Sequence, residues 1–514
     1  MLIVIVSIRM EKTGNLPPLR DAEKMVTRFP PQANASLHLG HLKALLLNYL
    51  YAKKYNGKII LRFDDTNPEK EKIEYEKSIC DDIHMLGLDC DEVTYASDYF
   101  DQIIDCAFKL ISMGLAYIDF TDADTINSMR LELKPSAYRD SLANYNELCF
   151  RQMVEGKLTN CCLRAKIDYE SKNGCMRDPV IFRYKNSKHP RHGDKYKIYP
   201  TYDFACPILD SLQGVTHAMR SVEYKDRDSQ YQWFLTNLDL KHNTKYPIIS
   251  DYGKLSFSHS VLSKRKLTKL VDNELVDGWS DPRLPTIRGI IRRGINIIPL
   301  IDYIKTQITS GKIVNLGWEK LYSFNLSYLD KTCCRIYGIS PNQLIVKLDG
   351  DYPKSVTIPN HPKDKSFGMR HIDVTPELIV DAEVGFGIEL GKRFTLIGLG
   401  NAVVTSINPI TLQYNALDCD YKNTTKVTWL PNDVTNIPVK VRRYGHLLSK
   451  PKLENNDDIV DLFNKNSLDE TTWLVEKSIK SFTPGTAVQI MRYDYCFIDR
   501  SDINGIIMHA IPNK

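Results

Sequence analysis

A chain of 514 residues with 43% hydrophobic and 25% charged content has a globular composition that excludes a disordered or collagen-like polymer. At a typical domain size it divides into about three to four units. The net charge of +5 permits contact with a polyanion without demonstrating it, and the 12 cysteines include no C-x-x-C pair, so neither a disulfide framework nor a zinc site is expected and the compartment reads as reducing and cytoplasmic.

Taken in order, residues 2–8 are apolar but too short to span a membrane, with no preceding positive charge and no cleavage site; they read as an extra strand, or as sequence upstream of a start at Met10. Residues 24–29 read as a strand, 39–55 as a helix and 58–63 as a second strand. This βαβ order belongs to a nucleotide-binding α/β fold, whose ligands sit at the carboxyl ends of the strands. Amphipathic helices are expected over about 68–86 and 97–113. Residues 116–200 are irregular, with a short strand over 161–168 and a turn-rich stretch over 185–195, and read as an inserted α/β domain. Helical spacing dominates 267–321, with Pro282 and Pro285 as breakers. Beyond about Arg335, short β-rich runs at 344–348, 394–399, 426–430 and 487–493 alternate with Gly, Asn, Asp and Pro turns, which is how β-barrels read. No later segment approaches a membrane span.

Arg28-Phe29-Pro30-Pro31 ends the first strand and delivers the chain to the turn His38-Leu39-Gly40-His41, leaving helix N-terminal amides facing a phosphate site. His38 and His41, three apart at a helix start, share one side. They can donate to phosphate oxygens as an α-phosphorus accepts a carboxylate nucleophile, which is catalysis by positioning and charge stabilisation without a covalent intermediate. Val261-Leu262-Ser263-Lys264-Arg265 places a lysine on a mobile basic loop able to close over a triphosphate. Alone, a His-x-x-His pair is more often structural and a basic turn is usually a solvated surface. Their joint presence, separated by one inserted domain as a split nucleotide fold requires, favours catalysis. Lys254-Leu255 offers a cation for phosphates and a backbone edge for adenine.

Together these strings resemble the HIGH and KMSKS signatures of class I aminoacyl-tRNA synthetases. RFDDTNPEKEKIEYEKSI from Arg62, NGCMRDP from Asn173, YPTYDFACPILDSLQGVTHAMRSVEYKDRD from Tyr199 and YKNTTKVTWL from Tyr421 extend the resemblance over nearly the whole chain, to glutamyl-tRNA synthetases of the archaeal and eukaryotic cytosolic type. The resemblance implies an α/β plus all-β protein: an extension over 1–23, a split Rossmann-like catalytic domain over 24–115 and 201–255, an acceptor-stem-binding domain inserted at 116–200, the KMSKS loop with a helical connective domain over 256–330, and β-barrel anticodon-binding domains over 331–514. It implies L-glutamate, ATP with Mg2+ and tRNA(Glu) as partners, a monomer, no zinc and no membrane. His38, His41, Ser263 and Lys264 are the implied catalytic residues, Lys264 holding the leaving pyrophosphate and Ser263 steadying the loop. Glu223, Lys254, Leu255, Val261, Leu262 and Arg265 join His38 and His41 in the implied ATP site. Glutamate would meet Arg28, Phe29, Pro30, Asp64, Tyr202, Cys206 and Arg220, with Asp64 pairing the α-ammonium and Arg28 near the carboxylate groups. The tRNA would meet Asp226, Arg335, Arg442 and Arg443, although solvated basic faces are the better reading of the last two.

Arg220 separates glutamate from glutamine. It falls where the similar glutaminyl enzymes carry a small uncharged residue, and a guanidinium pairs with a γ-carboxylate far better than with an amide. The dull alternative is an arginine that merely bridges to Glu223 or Asp226. The chain departs from the family pattern at Gln32, Ala35 and Lys254, which predicts an active but slow enzyme. A glutaminyl or dual-specificity enzyme and a catalytically silent tRNA-binding relative are the competing readings. The intact His38, His41, Lys264, Asp64 and Arg220 weigh against the silent one.

Overall fold

The computed structural model describes residues 16–21, 23–69, 73–308, 314–454 and 456–513, so the expected strand over 2–8 and the start at Met10 lie outside the described residues. The chain divides into two compact units. One runs to Ser256 and takes in Ile304–Leu316; the other holds Phe257–Tyr303 and everything from Gly317 onward.

In the first unit, β1 (Val26–Phe29), α1 (Leu39–Lys54) and β2 (Lys58–Phe63) form the anticipated βαβ, with Val26 to Phe29 parallel to Lys58 to Leu61. The KIILRF run of β2 is buried beyond its first residue, as befits a parallel strand covered on both faces. The expected second helix is α2 (Ile73–Met85), leading to β3 (Glu92–Tyr95), which lies parallel to β2. The third begins as a 3-10 turn over Ala96–Tyr99 and continues as α3 (Phe100–Ser112).

The insertion comprises β4 (Ala116–Asp119), α4 (Ala123–Leu131), α5 (Ala143–Val154), β5 (Cys162–Ala165), β6 (Val180–Tyr184) and β7 (Ile198–Pro200). Its strands make one antiparallel sheet in chain order. Phe150, Leu163 and Phe182 share a core with Phe100 of α3 and with Phe204 further on, so the insertion packs continuously onto the nucleotide fold.

That fold resumes with α6 (Tyr202–Leu212), β8 (His217–Ser221), α7 (Asp228–Leu238) and β9 (Ile248–Tyr252). Thr216 joins the halves: Val26 N donates to its Oγ1 at 3.0 Å, its own N donates to the Val26 carbonyl at 3.0 Å, and its carbonyl accepts from Ile248 N at 2.8 Å. β8 lies parallel to β9, and this pair adjoins the three-stranded sheet of β1, β2 and β3 through the Val26–Thr216 bonds. Strand β10 (Leu255–Phe257) follows.

Two further expectations are corrected. Lys264 is not on a loop: it opens α8 (Lys264–Asp272), with Ser263 at the N-cap. The helical stretch is interrupted. After α9 (Ile287–Arg292) and α10 (Ile297–Lys305), a strand, β11 (Val314–Leu316), precedes α11 (Glu319–Thr332). The segment before α8 is tied to the β-rich region, where Leu448 N donates to the His259 carbonyl at 3.2 Å and His259 N to the Pro451 carbonyl at 3.0 Å. Leu267 and Leu270 of α8 are buried with Leu447, Leu448 and Phe463.

The β-rich region holds two seven-stranded sheets, each closing on itself by the same device. In one, Cys334–Ile336 pairs with Ala487–Ile490 and Gly338–Ile339 pairs with Leu468–Val475, so a single run bent at Tyr337 supplies both ends. In the other, Thr425–Val427 pairs with Arg393–Leu396 and Trp429–Pro431 with Glu377–Asp381, the run changing partner at Thr428. Closure leaves few exposed edges for stray pairing.

Candidate active site

Two polar clusters stand at the carboxyl ends of the strands of the first unit. The first begins where β1 delivers Arg28, β2 delivers Arg62 and β8 delivers Arg220, buried at 1%, 2% and 4% exposure. Tyr202, Cys206 and Asp210 lie at i, i+4 and i+8 on α6 and present one helical face. Asp210 is fully buried and its Oδ1 accepts from Arg28 Nε at 3.0 Å and Arg62 NH2 at 2.7 Å, while its Oδ2 accepts from the Tyr231 hydroxyl at 2.8 Å. Burial alone would raise the Asp210 pKa; the two guanidiniums overcome it and hold the carboxyl well below its usual range. Arg28 NH1 donates to the Met219 carbonyl at 2.9 Å, and Arg62 NH1 donates to Gln213 Oε1 at 2.9 Å. The NH2 groups of Arg28 and Arg62 each lie 3.7 Å from Cys206 Sγ, whose thiol pKa is raised by burial.

Arg220 is held differently. Its NH1 reaches Asp228 Oδ1 at 3.3 Å, its guanidinium lies 5.2 Å from the Tyr231 ring and 5.6 Å from the Tyr224 ring, and its buried Nε has no hydrogen-bond partner among the described residues. The bridge is to Asp228, not to Glu223 or Asp226. An unpaired buried guanidinium donor is costly unless a ligand completes it. Asp64, just past β2, accepts from the Thr66 hydroxyl at 2.9 Å and weakly from the Gln32 amide at 3.4 Å, and burial raises its pKa. Burial likewise pushes the Tyr202 phenol well up. Phe29 is buried, Pro30 half-buried.

The second cluster caps α1. His38 Nδ1 accepts from the backbone N–H of Gly40 at 3.1 Å and of His41 at 3.3 Å, and His41 Nδ1 accepts from His38 N at 3.3 Å. With both Nδ1 atoms accepting, both neutral rings carry their proton on Nε2. The rings stack at 3.7 Å between centroids. Burial drives the His41 pKa down to about 4, and burial together with the neighbouring His41 lowers that of His38. Nearby, Lys254 Nζ pairs with Glu223 Oε1 at 2.6 Å, and Leu255 is buried in β10. Lys43 of α1 is 2% exposed and donates to the Gly253 carbonyl at 2.6 Å, tying the helix that carries both histidines to the turn that carries Lys254.

In the second unit, Ser263 and Arg265 are exposed, and Val261 packs beside the Leu267 cluster. Arg335, 4% exposed, donates to the Cys333 carbonyl at 2.6 Å and to Asp330 Oδ1 at 2.8 Å. Its partner Asp330 lines an open cavity together with Lys331, Tyr493, Asp494 and Tyr495. Arg443 pairs with Asp494 at 2.9 Å and Arg442 with Glu470 at 2.8 Å. Asp226, in the first unit, is exposed, its carbonyl accepting from Asn173 Nδ2 at 2.6 Å.

Arg62, Asp210, Tyr231 and Lys43 join these clusters, and sequence reasoning missed them. Arg62 and Asp210 stand within the quoted family strings, and the available signal was a charged residue inside an otherwise apolar strand or helix face. Their pairing across the sheet needs the fold.

A parallel nucleotide fold with an N-terminal histidine pair on its first crossover helix, an inserted sheet and two closed β-sheets is the architecture of a class I aminoacyl-tRNA synthetase. The family model for tRNA synthetases class I (E and Q), catalytic domain, matches residues 24–331, and two models for the anti-codon binding domain of the same class match 334–422 and 426–499. The chain belongs to this family, the glutamyl and glutaminyl tRNA synthetases of class I. It is 38% identical to the bifunctional glutamate/proline–tRNA ligase of Cricetulus griseus, over 96% of this chain and 34% of that one. It is 37% identical to the cytoplasmic glutamate–tRNA ligase of Saccharomyces cerevisiae, over 97% of this chain and 71% of that one. The cytoplasmic glutamate–tRNA ligase of Arabidopsis thaliana is 36% identical over 96% of this chain and 71% of its own length. The chain thus spans about a third of the bifunctional relative it matches.

Proposed function

We propose that this protein is a glutamate–tRNA ligase of the cytoplasm, activating L-glutamate with ATP and transferring it to tRNA(Glu). The observation that carries the choice of amino acid is Arg220: a buried guanidinium with one weak carboxylate contact, to Asp228, and an Nε without a partner among the described residues, beside a cluster in which Arg28 and Arg62 already share the carboxylate of Asp210. A γ-carboxylate completes such a group, whereas an amide brings two donors toward donors. The other side of the pocket fits the α-amino group, because Asp64 is buried with acceptor capacity left and an ammonium is its natural partner. Tyr202 and Phe29 are the walls.

Activation needs little covalent work from the protein. His38 and His41 are neutral Nε2–H donors fixed by their own backbone, suited to phosphate oxygens whose charge grows in the pentacoordinate state. Lys264, with Ser263 before it, is the cation for the leaving pyrophosphate by family resemblance, and Glu223, Lys254 and Leu255 take the nucleoside. Magnesium, a hard cation that keeps water and phosphate ligands, comes with the triphosphate. On the tRNA side, Tyr493 and Tyr495 line the open cavity with Lys331, Asp330 and Asp494, and Arg335 and Arg443 offset the charges of the two carboxylates. Aromatic walls with neutralised polar groups suit an unstacked base.

The deciding experiment charges purified tRNA pools with labelled glutamate and glutamine. Glutamate on tRNA(Glu) alone is expected; glutamine charging sinks the assignment, and no charging with retained tRNA binding points to a silent relative. Pyrophosphate exchange with glutamate is expected only in the presence of tRNA. Brisk exchange without it removes the chain from its subclass.

A further inference from the structure

We propose that Asp210 is the positioning residue of the amino-acid pocket, holding Arg28 and Arg62 side by side so that one N–H edge of Arg28 stays aimed at the substrate carboxylate; this rests on the glutamate reading above. Arg28 Nε is spent on Asp210 and its NH1 on the Met219 carbonyl, so NH2, which meets the Cys206 sulfur at 3.7 Å, is the nitrogen without an oxygen partner among the described residues. A thiol is a weak acceptor, and that edge is the donor a carboxylate can claim. Arg62 NH2 meets the same two groups, Asp210 Oδ1 at 2.7 Å and Cys206 Sγ at 3.7 Å. Two buried guanidiniums sharing one carboxylate oxygen repel each other, and the anion between them is what permits the arrangement. Tyr231 closes the set: its hydroxyl donates to Asp210 Oδ2 at 2.8 Å while its ring lies under Arg220 at 5.2 Å. Asp210 therefore bears on both arginines expected to read the substrate, one directly and one through Tyr231, without touching the substrate itself.

The test uses Asp210→Asn, which keeps the shape and removes the charge, and Tyr231→Phe, which keeps the ring over which Arg220 lies and removes one bond to Asp210. In full-length protein with tRNA present, Asp210→Asn is expected to raise the KM for glutamate about 10- to 100-fold and Tyr231→Phe about 3- to 10-fold, with the KM for ATP within about twofold of the parent in both. A purely structural role lowers the active fraction, read by active-site titration, and leaves both KM values unmoved; that result overturns the proposal. If Asp210→Asn does not fold, Tyr231→Phe decides alone, an unchanged glutamate KM overturning it. A parent protein that charges no glutamate would instead refute the functional reading.

Discussion

The arginine cluster and the histidine cluster beyond the strands of the first unit are built on opposite electrostatic plans. Around Arg28, Arg62 and Arg220 the protein concentrates fixed charge and buries it, with Asp210 as the counterion shared by Arg28 and Arg62 and Asp228 beside Arg220. Around His38 and His41 it removes charge: burial lowers both imidazole pKa values, and backbone N–H groups turn the rings into neutral donors. The contrast suits the two tasks proposed for them. Selecting an anion over its amide requires a charge whose loss of partner is expensive, whereas stabilising charge that develops during reaction requires donors that do not bind the ground state too tightly.

The largest effect is expected from breaking the charged side. Arg220→Leu leaves a γ-carboxylate buried without its partner, a cost of about 2–5 kcal/mol, so kcat/KM for glutamate should fall roughly 30- to several-thousand-fold. Glutamine, which needs no cation there, should lose much less. A folded variant in which both amino acids fall by the same factor would make Arg220 a structural residue.

Next comes the uncharged side. His38→Ala should lower the single-turnover activation rate about 10²- to 10³-fold with little change in ATP binding, since the lost donor acts mainly in the transition state. Because His38 also caps α1 through Nδ1, alanine should cost about 1 kcal/mol of stability as well. His38→Asn, a good N-cap that cannot place a donor where Nε2 stands, should recover the stability and not the rate. Recovery of both would reduce His38 to a cap.

How far these plans were legible beforehand differs between the two clusters. The histidine pair, its helix start and the βαβ around it are local features, readable from spacing because the capping atoms lie within three residues of one another. Arg220 was legible through resemblance, but its partner Asp228 was not, since one 3-10 turn decides which of Glu223, Asp226 and Asp228 faces back. Asp210 was invisible as a counterion because its arginines arrive from β1 and β2, far off in sequence. The assignment of Lys264 to a loop failed for a local reason: KRKLTKLVD is amphipathic and its two leucines are buried against the β-rich region, which extends the helix up to the lysine. The closure of each β-sheet by one bent run is a pairing pattern that composition does not encode.

A pH titration sharpens the contrast further. His41 binds its proton with a pKa of about 4 in the folded protein against 6.5 as its ordinary value. Between these values the unfolded chain takes up a proton that the folded one refuses, so this group withdraws stability as pH falls from 6.5 toward 4. His41→Asn should flatten the acid limb of a thermal-stability profile over that window while leaving it unchanged above pH 7. An acid limb identical in parent and variant would mean that His41 is already charged in the fold.

The smallest effect concerns Lys43, which joins the two logics by being a charge buried where the protein otherwise avoids charge. Burial lowers its pKa from 10.5 to about 8, so keeping it protonated at neutral pH costs up to about 3 kcal/mol relative to the unfolded chain. The sign follows from proton counts: from pH 8 to 10.5 the unfolded chain still holds the proton and the folded chain has released it, so stability rises with pH there, and below pH 8 the cost is present in full. Lys43→Met should therefore be about as stable as the parent or up to about 2 kcal/mol more stable at pH 7, an advantage that fades by pH 10.5. Its function should move the other way. Without the tie between α1 and the turn bearing Lys254, the KM for ATP should rise about 3- to 10-fold with the glutamate KM unmoved. A methionine variant that is less stable at neutral pH and binds ATP normally would show that Lys43 anchors the fold and does not set the distance between the histidines and the nucleoside turn.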